Sequence, residues 1–390
     1  MTADERRWTQ DREREARASS FRAERAVSAG DGTELWVVID AELVVHRAAS
    51  DFLLCLHGAS RSPHTIRAYA GRVAMFLGWC EAEGADWQTV SLVELSRFKR
   101  WVETTPGRGG RLRSGSTVNA VLTAVCELLR FGARSGVVEA AVAERLSEPR
   151  WLSFTPPGFD PGEGGQFRAV RARALKARAE VPFPDALSAD QSRALFGCCR
   201  RPRERFLVVL LHDTGVRIGE ALGLRREDMH LLADSRSLGC AVVGPHVHVR
   251  HRANPNGALA KSRFPRMVPA SDAVTAAYAD YVFERDSLVG DDDGDMVFVN
   301  LYHAPVGAAM GYRAAKGFFD RLARECGFAV RPHMMRHTAA TNWVRAGVAL
   351  DVVQRLLGHV SLASTTVYLH ARDVDRRRAV DAVADGEQWR

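Results

Sequence analysis

The stretch Thr214-Gly-Val-Arg-Ile-Gly-Glu-Ala-Leu-Gly-Leu224 places a glycine just before a segment with helical periodicity. Glycine adopts positive φ without steric cost, so Gly215 suits the turn into a helix whose first turn presents Arg217 and Glu220. A carboxylate three residues later can hold the guanidinium so that its planar fork grips two oxygens of a phosphodiester. Taken alone, such a pair is more often a surface salt bridge.

A second cluster of polar residues occurs in Pro332-His-Met-Met-Arg-His-Thr338. On a helix, His333, Arg336 and His337 stand three and four residues apart and share one face. That face offers a proton acceptor beside a permanent cation.

The sequence Leu356-Leu-Gly-His359 follows, and then Tyr368. Gly358 can end a helix in the left-handed conformation, and Ser361 can cap a new helix that carries Tyr368. In isolation, a tyrosine on a short amphipathic helix is more often a core residue with a hydrogen-bonded hydroxyl.

Taken in order, these motifs resemble the signature of the tyrosine recombinase, or phage integrase, family. The resemblance is strong over residues 185–372, whereas residues 48–146 are similar to the family's N-terminal core-binding domain in pattern only. The family also uses a lysine in a hairpin of a small sheet, and Lys261 stands in matching surroundings. Met335 replaces a frequent leucine and keeps that position apolar.

The resemblance implies a site-specific DNA recombinase that cleaves and rejoins DNA through a 3′-phosphotyrosyl bond to Tyr368. Arg217 and Arg336 would neutralise charge on the phosphoryl oxygens without a metal. His333 would take the proton of the phenol, whose ordinary pKa is about 10. Lys261 would protonate the 5′ leaving oxygen.

The remaining site residues have lesser implied roles. His359 is expected to bond the scissile phosphate, while Glu220 and His337 are expected to support the arginines and the helix packing rather than touch DNA. No cofactor and no metal are expected, because the phosphotyrosyl bond conserves the energy of the broken phosphodiester.

The family's biology implies the partners. These are double-stranded DNA recombination sites, with a homotetramer acting on two of them and accessory recombinases or DNA-bending proteins as further partners. Integration or excision of a mobile element and transposition are preferred over resolution of chromosome dimers, because the chain is longer than the compact resolvases. Residues 374–383 could form a helix that docks on a neighbouring protomer, or a frayed tail.

The fold class expected is mainly α with a small antiparallel β-sheet in the catalytic domain, as a two-domain clamp with an all-helical N-terminal domain. Four segments are predicted: an N-terminal extension over 1–47, a helical core-binding (SAM-like) DNA-binding domain over 48–148, a linker over 149–184 rich in proline and glycine, and a catalytic domain over 185–390. A basic run within the linker could follow phosphates or form a solvated helix face.

Composition agrees with a DNA-binding protein that stays in the bacterial cytoplasm. The 390 residues carry a formal charge of +7, with 46% hydrophobic and 26% charged residues, which suits a globular protein that attracts polyanions. No apolar run reaches the roughly 20 residues that span a bilayer, and the N-terminal segment is highly charged, so no membrane partner is expected. The 7 cysteines are scattered, which favours reduced thiols.

Two alternatives come from other classes of protein. Residues 350–370 superficially fit a helix-turn-helix, so a non-enzymatic DNA-binding regulator is one, although that motif has no use for the Arg217, Lys261 and His333 clusters upstream. A metal-dependent hydrolase is the other, suggested by His246, His248 and His251, with no carboxylate or cysteine judged to stand at a suitable spacing.

Overall fold

The computed structural model describes residues 20–107, 110–152, 169–179, 185–261, 264–290, 294–359 and 364–368. These residues form two compact units, the first ending at Ala179 and the second beginning at Asp185. Each unit has its own hydrophobic core. Most of the secondary structure is helical, with three small antiparallel sheets among the described residues, which confirms the predicted fold class.

The described residues of the first unit form a hairpin, five helices and a second two-stranded sheet. Strands β1 (Arg22–Val27) and β2 (Glu34–Ile39) pair antiparallel, and the helices are α1 (Arg47–Gly58), α2 (Pro63–Glu83), α3 (Leu92–Thr104), α4 (Gly115–Arg134) and α5 (Ala140–Arg145). The hairpin packs on α1 and α2, and Val38 is fully buried in the helical core. Residues 20–47 are therefore part of the first unit's core, although the sequence set them apart as an extension.

Local sequence explains where these helices start and stop. Ser62 caps α2 through its hydroxyl, with Pro63 at the first helical position, and Gly84 ends the helix in the left-handed conformation. Ser91 and Glu94 form a capping box at the start of α3. Both helices therefore begin at a serine cap, and α2 ends at a left-handed glycine.

The basic run of the predicted linker is partly a strand. β3 (Ser147–Trp151) pairs antiparallel with β4 (Ala169–Arg173), and both strands belong to the first unit. Arg171 donates to the Ser147 hydroxyl, and Arg173 donates to the Thr123 hydroxyl and the Asn119 carbonyl. The suggestion of a helix face was therefore wrong for these two arginines. The proline- and glycine-rich residues 153–168 lie outside the described part.

The core of the second unit forms around one buried helix. Its helices are α6 (Ala189–Cys198), α7 (Pro202–Thr214), α8 (Ile218–Ala221), α9 (Asp272–Val289), α10 (Tyr312–Cys326), α11 (Pro332–Arg345) and α12 (Leu350–Leu357). Helix α7 is apolar on all sides from Phe206 to Leu211 and packs between α9 and α11. Phe206 stacks on Tyr281 and Phe298 at centroid distances of 5.7 and 5.1 Å.

A three-stranded sheet lies between α8 and α9 in the chain. Strands β5 (Met229–His230), β6 (His246–Val249) and β7 (Arg266–Pro269) pair antiparallel in that order and form the small antiparallel sheet predicted for this part of the chain. Val247 and Val249 point into the core, so His246 and His248 lie on the opposite face of β6. The connection from β6 to β7 contains Lys261.

The end of the described chain differs from the prediction. Instead of a helix from Ser361, a single 3₁₀ turn over Thr366–Tyr368 carries the tyrosine, while Ser361 itself and the possible docking helix at 374–383 lie outside the described residues. The segment after Gly358 therefore shows no second helix of a helix-turn-helix within its described part. Among the described residues, no helix has the length and apolar character to span a bilayer.

Candidate functional site

Arg217 is positioned by the tight turn between α7 and α8. Gly215 has φ +62°, and a Cβ there would lie 3.1 Å from Trp343 and 3.2 Å from Leu357, so the position requires glycine on both counts. Arg217 then caps α8: its backbone N–H donates to Glu220 Oε2 at 2.8 Å, and its Nη1 donates to Oε1 at 3.0 Å. The predicted pair is present, and it is more than a surface salt bridge because the Glu220 side chain is fully buried.

A second arginine, Arg266 on β7, grips the same carboxylate. Its Nη1 and Nη2 donate to the two Glu220 oxygens at 3.2 and 2.7 Å, and its Nε donates to the Leu356 carbonyl at 3.0 Å. Burial alone would raise the pKa of Glu220, but the hydrogen bonds and charges of Arg266 and Arg217 outweigh it and hold that pKa below its usual range. The sequence analysis gave Arg266 no role.

Arg336 is the most buried charge of the site, with 1% of its surface exposed. Its Nη1 donates to the Gly215 carbonyl at 2.7 Å and its Nη2 to the Leu357 carbonyl at 2.6 Å, so it joins the ends of α7 and α12. Burial and then the positive charge of Arg217 lower its pKa to about 9, which leaves the guanidinium protonated at neutral pH. Carbonyls at two helix C-termini suit this cation.

The two histidines of α11 lie in contact, with ring centroids 4.3 Å apart. His333 is exposed and His337 is half-buried. Desolvation by the surrounding protein, then His337 and the nearby cations, lower the pKa of His333 to about 4, and desolvation and Arg336 also lower the pKa of His337. Both imidazoles are neutral near pH 7 and can accept a proton.

Tyr368 packs among Ala340, Val353 and Leu357 with 7% of its surface exposed. Its hydroxyl lies 2.9 Å from Nδ1 of His337. Burial raises the pKa of the phenol, whereas Arg336 and Arg217 act to lower it. His337 therefore contacts the candidate nucleophile directly, beyond the packing role that the sequence analysis expected for it.

His359 follows the glycine that ends α12. Gly358 has φ +62°, and a Cβ there would lie 2.9 Å from Nη1 of Arg266. His359 Nδ1 lies 3.0 Å from the Thr365 hydroxyl, which ties α12 to the turn that holds Tyr368. Desolvation, followed by the charge of Arg336, lowers the pKa of His359 to about 4.

Lys261 is exposed in the connection between β6 and β7, where the sequence analysis placed it. The next two residues lie outside the described part. Lys261 adds to the positive charge that lowers the pKa of His333, after desolvation, His337, Arg336 and Arg217. The structure thus brings all the predicted site residues into one region. This region contains one buried carboxylate, three neutral imidazoles and three guanidinium groups, which are those of Arg217, Arg266 and Arg336.

A separate group of possible metal ligands lies on the three-stranded sheet. We call it the Cys–His cluster; its ligand atoms all lie within 4.8 Å of one another and belong to His230, Cys240, His246 and His248. The statement that no cysteine stands at a suitable spacing was therefore wrong, because the loop before β6 returns Cys240 to the histidines. Exposed His251 is not a member. Desolvation and the two other imidazoles lower the pKa of His248 to about 4.

Known proteins resemble the chain over both units. The model of the phage integrase family matches residues 185–374, and that of the phage integrase N-terminal SAM-like domain matches residues 50–136. Tyrosine recombinase XerC of Mycobacterium leprae is 30% identical over 322 residues, covering 82% of this chain and 92% of the relative. Transposase A from transposon Tn554 of Staphylococcus aureus is 24% identical over 353 residues, covering 88% and 92%.

Solved structures show the same fold. The Tn1549 transposon integrase in complex with circular intermediate DNA has a TM-score of 0.57 at 17% identity, covering 85% of this chain and 98% of the other. A lambda integrase dimer bound to a core site has a TM-score of 0.55 at 12% identity, covering 84% and 96%. Together with the XerC relationship, these findings establish that the chain belongs to the phage integrase family of tyrosine recombinases.

Proposed function

We propose that this tyrosine recombinase cleaves and rejoins double-stranded DNA at specific sites through a 3′-phosphotyrosyl bond to Tyr368. One observation carries the assignment: the Tyr368 hydroxyl bonds a neutral histidine beside Arg336 and Arg217. A phenol, a proton acceptor and two phosphate-binding cations are what attack on a phosphodiester requires.

Arg217 and Arg336 take the charge that develops on the non-bridging oxygens. Arg217 keeps about a fifth of its side chain exposed, while Glu220 and Arg266 hold it from behind. Arg336 uses one N–H on each Nη for a carbonyl, and a guanidinium has five donors, so others remain for a phosphate. His359 completes the contacts to the phosphate.

The proton of Tyr368 leaves through the histidines of α11. His337 contacts the hydroxyl through Nδ1, and the exposed ring of His333 lies against the ring of His337. We propose His333 as the base in the DNA complex, with His337 orienting the phenol. Lys261 protonates the 5′ oxygen as it leaves, because an exposed ammonium on a connecting loop can reach the DNA.

The biological role that we propose is movement of a mobile element, by integration and excision or by transposition. The similarity to the Tn554 transposase, which extends over 88% of this chain, supports that proposal. The acting form would be a tetramer on two DNA sites, aided by accessory recombinases or DNA-bending proteins. The 7 cysteines are all free, which agrees with a bacterial cytoplasm.

The domain assignment is part of the proposal. Residues 48–148 would bind DNA as the SAM-like core-binding domain, and residues 185–390 would be catalytic. The family models for the N-terminal SAM-like domain and for the phage integrase family, which match 50–136 and 185–374, support this division.

The test is a covalent adduct assay with DNA taken from the flanks of the protein's own gene. Wild-type protein and Tyr368→Phe are incubated with that DNA, without metal or nucleotide, and stopped with SDS. We expect an SDS-resistant adduct with the wild type alone. If the wild type binds this DNA specifically and forms no adduct, Tyr368 is not the nucleophile on it.

A further inference from the structure

Three ligand atoms of the Cys–His cluster have the spacing of a tetrahedral zinc site, and the His230 ligand atom lies within 4.8 Å of each of them. Zn–N bonds of about 2.0–2.1 Å and Zn–S bonds of about 2.3 Å put tetrahedral ligands about 3.3 Å (N to N) and about 3.6 Å (N to S) apart. The Nε2 atoms of His246 and His248 are 3.1 Å apart, and Cys240 Sγ lies 3.4 and 3.6 Å from them. Three edges of the tetrahedron are therefore already in place.

The outer hydrogen bonds prepare the histidines for a metal. His246 Nδ1 donates to the Gly244 carbonyl at 2.7 Å, which leaves Nε2 of the neutral ring with a free lone pair. His230 uses Nε2 on the Glu227 carbonyl at 3.2 Å. Backbone carbonyls that accept from the far nitrogen are the usual support for a metal-bound imidazole.

One nitrogen has no partner among the described residues. Nδ1 of His230 is buried and makes no hydrogen bond, and only 7% of this residue's surface is exposed. A buried polar atom left unpaired costs stability, and native proteins rarely keep one without a ligand or a water. Binding a metal as the fourth ligand would explain why this buried nitrogen has no hydrogen-bond partner.

We propose that the Cys–His cluster binds one Zn²⁺ ion with four protein ligands. Binding replaces the Cys240 thiol proton, which is released to solvent, while the three imidazoles bind as neutral donors; the site then carries a net charge of +1. Four protein ligands leave no open position for water or substrate, so the metal is structural and takes no part in the chemistry.

The metal stabilises the base of the Lys261 connection. Its ligands come from β5, from the loop before β6 and from β6 itself. One ion therefore joins three segments, of which β5 and β6 are otherwise paired over two residues each. Strand β5 has two residues, too few for a stable pairing by itself. The strand that leads to Lys261 is thereby held at its start.

The experiment measures the metal directly. The full chain is purified without a polyhistidine tag, and its zinc is quantified by elemental analysis. We expect about one Zn²⁺ per chain, lost in Cys240→Ser and in His248→Gln. The matched controls are Cys198→Ser, half-buried in the same unit, and His251→Gln, a neighbouring histidine outside the cluster. Both controls should keep the metal.

A second readout does not depend on the variants folding. Wild-type protein exchanged with Co²⁺ should show the thiolate-to-metal charge-transfer band of a tetrahedral site, and chelation under mild denaturant should make Cys240 react with iodoacetamide while exposed Cys55 reacts throughout. The melting temperature should also fall by on the order of 5 °C on stripping. Wild-type protein that neither contains zinc nor binds added Zn²⁺ overturns the proposal, as does metal that persists in both cluster variants.

Discussion

At the scale of single residues, the site is built on one buried carboxylate. Glu220 accepts from Arg217 and from Arg266, so the guanidinium that we propose to bind the phosphate is held by a second guanidinium through a shared partner. The position of Arg217 thus depends on a strand far away in sequence. The spacing of Arg217 and Glu220 predicted the first pair, but Arg266 could not be found the same way, because its partner is set by tertiary packing.

Replacing Arg217 with lysine should separate chemistry from binding. An ammonium keeps the charge but cannot bond two oxygens in a plane, so we expect Arg217→Lys to lower the rate of adduct formation by about 100-fold or more. Binding of the DNA, measured by mobility shift, should change little. Arg236→Lys, an exposed arginine of the same unit, is the control. An equal loss of binding and cleavage would indicate that Arg217 is structural.

At the scale of secondary-structure elements, two glycines end the helices whose C-termini meet at the site. Helices α7 and α12 both end in left-handed glycines, and Arg336 bonds a carbonyl at each end. Helix limits were predictable because serine caps and glycine ends are local signals. The turn at Tyr368 was not, since its conformation depends on packing against α11 and α12 rather than on its own residues.

Substituting Gly215 tests how much this packing of helix ends contributes to stability. Alanine there meets both a left-handed backbone and side chains at 3.1 and 3.2 Å, so we expect the free energy of unfolding to fall by about 2–4 kcal/mol. Gly327→Ala is the matched control, because Gly327 also has a left-handed φ of +73° but open space around it. The control should lose only about 1–2 kcal/mol. Equal losses in chemical denaturation would mean that the surrounding contacts at Gly215 do not matter.

At the scale of the whole molecule, several buried or crowded histidines are kept neutral by the fold. The folded pKa of His359 is about 4, below its unfolded value near 6.5. Between these values the unfolded chain binds the proton first, so this histidine favours unfolding as pH falls from 6.5 towards 4. The contribution of the neutral His359 ring to the free energy of unfolding is therefore fully present above pH 6.5 and is lost as the pH falls towards 4.

The free energy of unfolding should therefore decline across that window. His359 alone contributes at most about 1.4 kcal/mol per pH unit, and less because the ring is only partly buried. We expect His359→Gln to show a shallower decline than the wild type in denaturant titrations at several pH values. His303→Gln, an exposed histidine of the same unit, should follow the wild type. If the free energy of unfolding of all three proteins declined with pH in parallel, the fold would not be lowering the pKa of His359.

Most of the second unit was predictable because its motifs are short and ordered along the chain. The Cys–His cluster was only half visible: the alternation of His246 and His248 on one strand could be seen, but His230 and Cys240 join them through strand pairing and a loop whose path no local pattern reveals. The same holds for the bond between His337 and Tyr368, which joins residues 31 positions apart.

The position of Arg336 between two helix ends has a consequence for inheritance. A copy of the gene that loses this arginine leaves two buried carbonyls unpaired, so we expect it to encode a less stable protein as well as an inactive one. A copy altered at Tyr368 to phenylalanine keeps both helix ends bonded, so we expect it to produce a folded protein that still occupies DNA. Inactive copies that interfere with an intact neighbour in the same cell should therefore carry changes at Tyr368 or Arg217, and hardly ever at Arg336.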